Sequence, residues 1–156
     1  MLSKNAQSIQ DALSKKGLAM KVIEFPSSTR TAQEAAAVIG CEVAQIVKSL
    51  IFRTEETNRP ILVLASGINL VNEKTIALHV GEKIVKAEAD FTREKTGFAI
   101  GGIPPVGHKQ RIETFIDEDL FRFEELWAAA GTPHAVFKLD STNLKSLTEG
   151  MIISVK

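Results

Sequence analysis

The stretch from Gly97 to His108 constrains the fold more than any other segment of this chain. It contains four of the ten glycines and two of the five prolines. Gly101-Gly102 allows another backbone or a ligand to approach closely, because glycine has no Cβ. Pro104-Pro105 fixes two φ angles and removes two N–H donors, so this segment is neither a central strand nor a helix interior. The composition predicts a stiff loop after a short apolar run, with either a structural or a functional role.

A second stretch, Val47 to Arg53, reads as a strand with a lysine on its apolar face. Since side chains alternate along a strand, Lys48 shares a face with Leu50 and Phe52. Burying an unpaired ammonium is costly, so Lys48 needs either a partner or an opening to water. The alternative is that the strand has a different register, or that the preceding helical turn ends at a different residue. In either case the side chain of Lys48 would be exposed to solvent.

Apolar periodicity and terminating residues predict the helices. They fall at residues 3–16, 31–39, 72–79, 89–96, 124–130 and 141–147, with a helical turn at 42–46. The best-marked helix begins at Thr31, which forms a T-x-x-E capping box with Glu34, and ends at Gly40. Its stripe of small alanines predicts close packing against a sheet.

Strands are predicted at residues 20–25, 47–53, 60–65, 111–116, 135–139 and 151–155. Ile61 to Ala65 is apolar on both faces, which is typical of a central strand. A chain of 156 residues suits one domain with a single core. Because the elements show no regular βαβ rhythm, we expect residues 1–156 to form a single mixed α/β (α+β) domain. Its curved, largely antiparallel sheet is flanked by helices.

Composition narrows the classes of function. The 19 basic and 19 acidic residues give a net charge of zero, which argues against a strongly basic nucleic-acid binder but allows contact with the end of a nucleic acid. No apolar run reaches the roughly 18 residues of a membrane helix, and the N-terminus does not resemble a signal peptide. The single cysteine, Cys41, excludes an internal disulfide framework. We therefore expect a cytoplasmic protein without a membrane or DNA partner.

Motifs for several kinds of catalytic site are missing. The chain has no CxxC, HExxH or GxxxxGK[ST] motif, so neither a metal site nor a P-loop nucleotide site is predicted, and no cofactor is expected. It also lacks the G-x-S-x-G nucleophile elbow. Cys41 directly follows the helix-ending Gly40 and has no activating partner in the sequence, so we expect a structural role for it.

Taken together, these segments resemble the YbaK family, also called the prolyl-tRNA-synthetase-associated editing domain. The resemblance covers roughly residues 20 to 155. It rests on three segments: Thr31-Ala32 opening the alanine-rich helix, Gln45 to Leu50 leading into the lysine strand, and Thr96-Gly97 followed by Gly101 to Gly107. Further matching positions are Asp117 after a strand, Ala129-Ala130-Gly131, and the L-x-x-L segment at Leu144 and Leu147.

The resemblance implies a compact α/β domain with a barrel-like sheet that hydrolyses the ester joining a wrong amino acid to the 3′ end of a tRNA. In this family a lysine helps to hold the terminal nucleotide, which implies that role for Lys48. The backbone of a G-x-x-x-P loop lines the aminoacyl pocket, which implies that role for Gly101, Gly102, Ile103, Pro104 and Pro105. Thr31 matches a family threonine near the pocket. The implied reaction uses an ordered water and a substrate hydroxyl, with no protein nucleophile.

In that setting the charge of Lys48 would stabilise developing phosphate or oxyanion charge, and the Gly101 and Gly102 amides could donate to the carbonyl oxygen. Two departures from the family affect substrate choice. Ser49 stands where some members carry asparagine, and His134 does not align with the late pocket histidine or aspartate of other members. His134 is thus either a substrate-binding residue or a surface histidine. His79 and His108 are expected to be exposed.

Two functions follow from these observations. The first is an aminoacyl-tRNA deacylase acting in trans on tRNA charged with Cys, Ala, Ser or Thr, since the chain shows no synthetase body or anticodon-binding domain. Its partners would be the 3′ end of an aminoacyl-tRNA and, as a docking partner, an aminoacyl-tRNA synthetase. The second is a non-catalytic module that binds tRNA ends or a small ligand. Lys48 together with an intact loop favours the enzyme, although a fold alone does not establish a function.

Overall fold

The helices and strands follow the apolar periodicity at most positions. The computed structural model describes residues 1–156. Its helices are α1 (Lys4–Lys15), α2 (Ala32–Ile39), α3 (Glu73–Val80), α4 (Ala89–Thr96) and α5 (Ser141–Thr148), with short 3-10 helices at Val43–Gln45 and Glu118–Arg122. Its strands are β1 (Val22–Glu24), β2 (Ile46–Thr54), β3 (Pro60–Ser66), β4 (Ile84–Lys86), β5 (Glu113–Asp117), β6 (Leu126–Ala129), β7 (Ala135–Leu139) and β8 (Met151–Ile153).

All eight strands form one mixed sheet, which confirms the predicted fold class. The order is β1-β7-β6-β2-β3-β5-β8, and β4 pairs with β2 outside this path. Four pairings are antiparallel (β1–β7, β2–β3, β2–β4 and β6–β7) and three are parallel (β2–β6, β3–β5 and β5–β8). None of the helices is both long and apolar enough to span a membrane.

Strand β2 has an interrupted edge, and this interruption positions the candidate site. One edge of β2 pairs with β3 from Val47 to Arg53. The other edge pairs with β6 at Ile46 and Val47 and with β4 from Phe52 to Thr54. Residues 48–51 therefore have no strand beside them on that edge, and we call this interruption the β2 gap. One backbone bond, from Ala87 N–H to the Ile51 carbonyl, closes its far end.

The two faces of β3 pack against different parts of the core, as predicted for a central strand. Leu62 and Leu64 lie in the larger cluster together with the apolar side of α1. Ile61, Val63 and Ala65 lie in a second cluster with α3 and with Phe52 of β2. Because every one of these β3 side chains is fully buried, β3 holds the neighbouring strand β2 in a fixed register.

The predicted helix at residues 124–130 is wrong, because this segment contains strand β6. Leu126 and Ala128 are buried whereas Trp127 and Ala129 are half-buried, which is the alternation of a strand. The segment pairs with β2 on one side and with β7 on the other. Hydrogen bonds to two neighbouring strands outweigh the helix propensity of its alanines, which is worth only a few tenths of a kcal/mol per residue.

Candidate functional site

A cavity of about 780 Å³ lies along the β2 gap. Its wall is built from the segment that enters α2, from β2, from the turn after β3, from the loop after α4, and from β6. The lining residues that were singled out in the sequence are Thr31, Lys48, Ser49, Gly101 and Ile103. The structure therefore brings the lysine strand, the start of α2 and the first half of the glycine–proline loop to one cavity.

Lys48 shares a strand face with Leu50 and Phe52, and its ammonium is half-buried. Its Nζ donates a hydrogen bond to the backbone carbonyl of Asn69 at 2.6 Å. No carboxylate lies within ion-pairing distance of Nζ. Burial lowers the pKa of Lys48 below its ordinary value, and the negative charge of Asp117 offsets part of this effect. Lys48 is thus a cation held by a neutral acceptor, with two ammonium hydrogens left for other partners.

The carbonyl that holds Lys48 is itself held by a buried network. Asn69 is 8% exposed, and its Nδ2 donates to Asp117 Oδ2 and to Asp119 Oδ2, both at 2.8 Å. Asp117 is fully buried and accepts further bonds from the Ser66 N–H at 3.0 Å and the Asp119 N–H at 2.9 Å. These bonds fix the turn after β3, so the position of the Lys48 ammonium is set in advance.

Asp119 connects this network to two surface cations. Its Oδ2 lies 3.1 Å from Lys156 Nζ, and its Oδ1 lies 3.2 Å from Arg122 Nη2. The hydrogen bond from Asn69, followed by that from Lys156, lowers the pKa of Asp119. Asp119 therefore remains an acceptor at neutral pH. The sequence placed Asp117 after a strand but did not reveal that Asn69 joins the two carboxylates.

The hydroxyl of Thr31 caps helix α2. Its Oγ1 accepts from the Glu34 N–H at 3.1 Å, and the Thr31 N–H donates to Glu34 Oε1 at 3.3 Å, which confirms the predicted capping box. Thr29, which no sequence motif indicated, lines the same cavity and is 6% exposed. The hydroxyls of Thr29 and Ser49 are both buried without a hydrogen-bond partner. The spacing of two residues between Thr29 and Thr31 in an extended segment is the signal that could have indicated Thr29.

The glycine–proline loop divides into a half that faces the cavity and a half that does not. Gly101 and Ile103 line the cavity, whereas Gly102, Pro104 and Pro105 lie outside its wall. The Gly102 N–H donates to the Ala99 carbonyl at 3.1 Å, so this amide is not free to bind a substrate oxygen. The amides of Gly101 and Ile103 have no protein acceptor. The unpaired donors are thus those of Gly101 and Ile103, rather than those of Gly101 and Gly102 as expected.

The histidines lie outside the cavity. His134 is exposed, and its Nδ1 lies 3.1 Å from the Ser27 carbonyl. His79 is exposed, as expected. The expectation that His108 is exposed is wrong, because the loop folds back so that His108 Nε2 donates to the Pro104 carbonyl at 2.6 Å. Burial lowers the pKa of His108, and the bond to Pro104 opposes this effect.

Cys41 also lies outside the cavity wall. It is half-buried against the alanine face of α2. Burial raises the pKa of its thiol, so little reactive thiolate is present at neutral pH. No group of three or more His, Cys, Asp or Glu side chains is arranged to hold a metal ion.

Comparison with known proteins identifies the family of this fold. The aminoacyl-tRNA editing domain family matches residues 26–147. The protein YwhH of Bacillus subtilis (strain 168) is 32% identical over 127 residues, which is 81% of this chain and 80% of YwhH. A protein of Enterococcus faecalis (strain ATCC 700802 / V583), named "Putative Cys-tRNA(Pro)/Cys-tRNA(Cys) deacylase EbsC", is 25% identical over 126 residues, or 80% of this chain and 76% of EbsC.

Among solved structures, one described as "a putative trans-editing enzyme for prolyl tRNA synthetase" is similar over the full chain. The two share 44% sequence identity with a TM-score of 0.94, and the match covers 100% of this chain and 99% of the other.

Proposed function

This chain belongs to the aminoacyl-tRNA editing domain family, and from that premise we propose that it is a trans-acting aminoacyl-tRNA deacylase. The whole chain, residues 1–156, would act as a single editing domain in the cytoplasm. One observation carries the proposal: the residues that line the cavity include a half-buried lysine without an ion-pair partner and two residues, Gly101 and Ile103, whose backbone amides have no acceptor in the protein. This combination suits a substrate that carries negative charge and develops more of it during ester hydrolysis.

The proposed chemistry is hydrolysis of the aminoacyl ester by an ordered water. The water oxygen bonds to the acyl carbon, the bond from that carbon to the ribose oxygen breaks, and the ribose oxygen takes up a proton. Lys48 stabilises the negative charge that develops at the reacting ester on the terminal nucleotide. The amides of Gly101 and Ile103 donate to the carbonyl oxygen as it becomes an oxyanion. A hydroxyl of the substrate ribose positions the water, so no protein nucleophile is needed.

The composition of the cavity wall suits an uncharged side chain on the amino acid that is removed. Its buried part is lined by apolar side chains, including Val47, Ile103 and Ala128. The unpaired hydroxyls of Thr29 and Ser49 add polar groups to this wall. Cys, Ala, Ser and Thr are therefore the candidate amino acids. The names of EbsC and of the structural neighbour support mischarged proline tRNA as the first carrier to examine, with a synthetase as a docking partner.

A deacylation screen tests the proposal. The wild-type protein and the Lys48→Ala variant are incubated with proline tRNA charged with Cys, Ala, Ser, Thr or Pro. We expect at least one mischarged tRNA to be hydrolysed well above the spontaneous rate, Pro-tRNA to be spared, and the activity to fall in the variant. If every charged tRNA is bound but none is hydrolysed, the non-catalytic binding module is the better explanation.

A further inference from the structure

The cavity is positively charged, although the chain as a whole is neutral. Its 23 lining residues include two cations, Arg30 and Lys48, and no aspartate or glutamate. Over the whole chain, basic and acidic residues balance at 19 each. A concave wall with charge of one sign concentrates ligands of the opposite sign. The proposed reaction assigns a role to Lys48 but leaves Arg30 without one.

Arg30 lies across the glycine–proline loop. A Cβ built on Gly101 would lie 2.7 Å from Cγ of Arg30, 3.0 Å from Nε and 3.2 Å from Cδ. Gly101 also has a φ of +99°, which other residues rarely adopt. The absence of a Cβ at Gly101 therefore leaves the space in which the arginine stem packs, beside one of the two unpaired loop amides.

The guanidinium of Arg30 has no partner within the protein. Four of the six arginines lie within 4.0 Å of a carboxylate, namely Arg53, Arg59, Arg111 and Arg122. Arg30 and Arg93 do not, and neither side chain makes a hydrogen bond. Arg93 lies on α4 and does not line the cavity, whereas Arg30 is on the cavity wall. Arg93 is thus a control variant position, exposed and unpaired like Arg30 but outside the cavity wall.

We propose that Arg30 binds the phosphate of the 3′-terminal nucleotide, while Lys48 serves the reacting ester. This inference rests on the proposed deacylase function. The two cations differ in depth, since Lys48 is half-buried and Arg30 is exposed at the rim. A substrate that enters ester-first leaves its phosphate at the rim, where a planar guanidinium can donate to two phosphate oxygens. The phosphate is therefore the part of the substrate that Arg30 recognises.

The test compares two substrates, only one of which carries the phosphate of the 3′-terminal nucleotide. One is an aminoacylated CCA trinucleotide, and the other is the same amino acid esterified to adenosine, which has no phosphate. We expect Arg30→Gln to lower kcat/KM for the trinucleotide about tenfold, mainly through KM, as for one charged hydrogen bond at an exposed position. The adenosine ester should lose less than about twofold. Arg30→Lys should give an intermediate kcat/KM for the trinucleotide, because lysine keeps the positive charge but lacks the planar guanidinium that can donate to two phosphate oxygens.

The control variant Arg93→Gln should leave both rates unchanged. Equal losses on the two substrates in Arg30→Gln would overturn the inference, since they would show that Arg30 supports the loop or the ester. No loss on either substrate would overturn it as well. Thermal midpoints of all three variants establish that each remains folded.

A binding measurement keeps the inference testable if the wild type hydrolyses neither short substrate, and the screen with charged tRNA decides the deacylase proposal separately. The single tryptophan, Trp127, lines the cavity, so its fluorescence reports occupancy. We expect 5′-AMP to bind about tenfold more tightly than adenosine, and this ratio to approach one in Arg30→Gln but not in Arg93→Gln. Equal affinities of the wild type for 5′-AMP and adenosine would overturn the phosphate site.

Discussion

Replacement of Lys48 by methionine separates catalysis from stability at one position. Methionine keeps an unbranched side chain beside Leu50 but removes the ammonium that donates to the Asn69 carbonyl. In the proposed reaction this ammonium interacts with charge that develops at the ester. Loss of one charged hydrogen bond costs about 1.5–3 kcal/mol, which corresponds to roughly one to two decades in kcat/KM. Lys48→Arg should keep only part of the wild-type kcat/KM, because the guanidinium is larger than the ammonium.

The expected effect on stability is small and has a defined dependence on pH. Burial lowers the pKa of Lys48 from 10.5, so the charged form is less favourable in the folded protein than in the unfolded chain. This cost is present at neutral pH and disappears as pH rises through the folded pKa toward 10.5, because the folded protein releases its proton first. Removing the partly buried charge stabilises the folded protein, whereas losing the hydrogen bond to Asn69 destabilises it. Because these two effects oppose each other, we expect Lys48→Met to change the free energy of unfolding by no more than about 1 kcal/mol.

Single-turnover deacylation and thermal midpoints between pH 7 and 10 test both parts. The wild type should gain stability relative to Lys48→Met as pH rises across the alkaline range. A wild-type rate in Lys48→Met would refute the catalytic role of the ammonium. A loss of more than about 3 kcal/mol in stability would show that Lys48 is chiefly structural, as expected for one partner of a buried ion pair.

Three further variants test the surroundings of the site. Asn69→Asp places a third carboxylate beside two others, and we expect it to destabilise the protein by about 3 kcal/mol or more, with recovery as pH falls toward 4, because the crowded carboxyl group takes up a proton. Cys41→Ala should leave the deacylation rate within about twofold, since the thiol lies outside the cavity and is not needed as a nucleophile. His108→Gln should reduce the loss of stability that accompanies acidification below pH 6.5, because burial lowers the folded pKa of His108 and the unfolded chain binds the proton more readily.

Denaturant midpoints measured across pH check the first and third of these variants, with His79→Gln as the exposed-histidine control. A stable Asn69→Asp protein would contradict the buried network. If His108→Gln loses as much stability on acidification as the wild type does, groups other than His108 cause the acid sensitivity. A large loss of rate in folded Cys41→Ala would mean that the reaction proceeds through the thiol.

Local features of this protein could be read directly from neighbouring residues. The capping box of Thr31 and Glu34 involves atoms three residues apart, so its pattern is visible in the sequence and is confirmed in the structure. The burial of Ile61 to Ala65 on both faces follows from a continuous apolar run. The position of Lys48 beside Leu50 and Phe52 follows from the alternation of side chains in a strand.

The features that complete the site depend on residues far apart in the chain, and only the tertiary structure could establish them. Asn69, which holds Lys48, lies 21 residues from it, and Asp117 lies 48 residues beyond Asn69. Residues 126–129 became a strand because two other strands supply its hydrogen bonds, which no local propensity can register. Arg30 meets Gly101 only because the fold brings the segment before α2 against the glycine–proline loop. Periodicity reports which side of an element is buried, whereas the partner across the interface is set by how the sheet brings distant segments together.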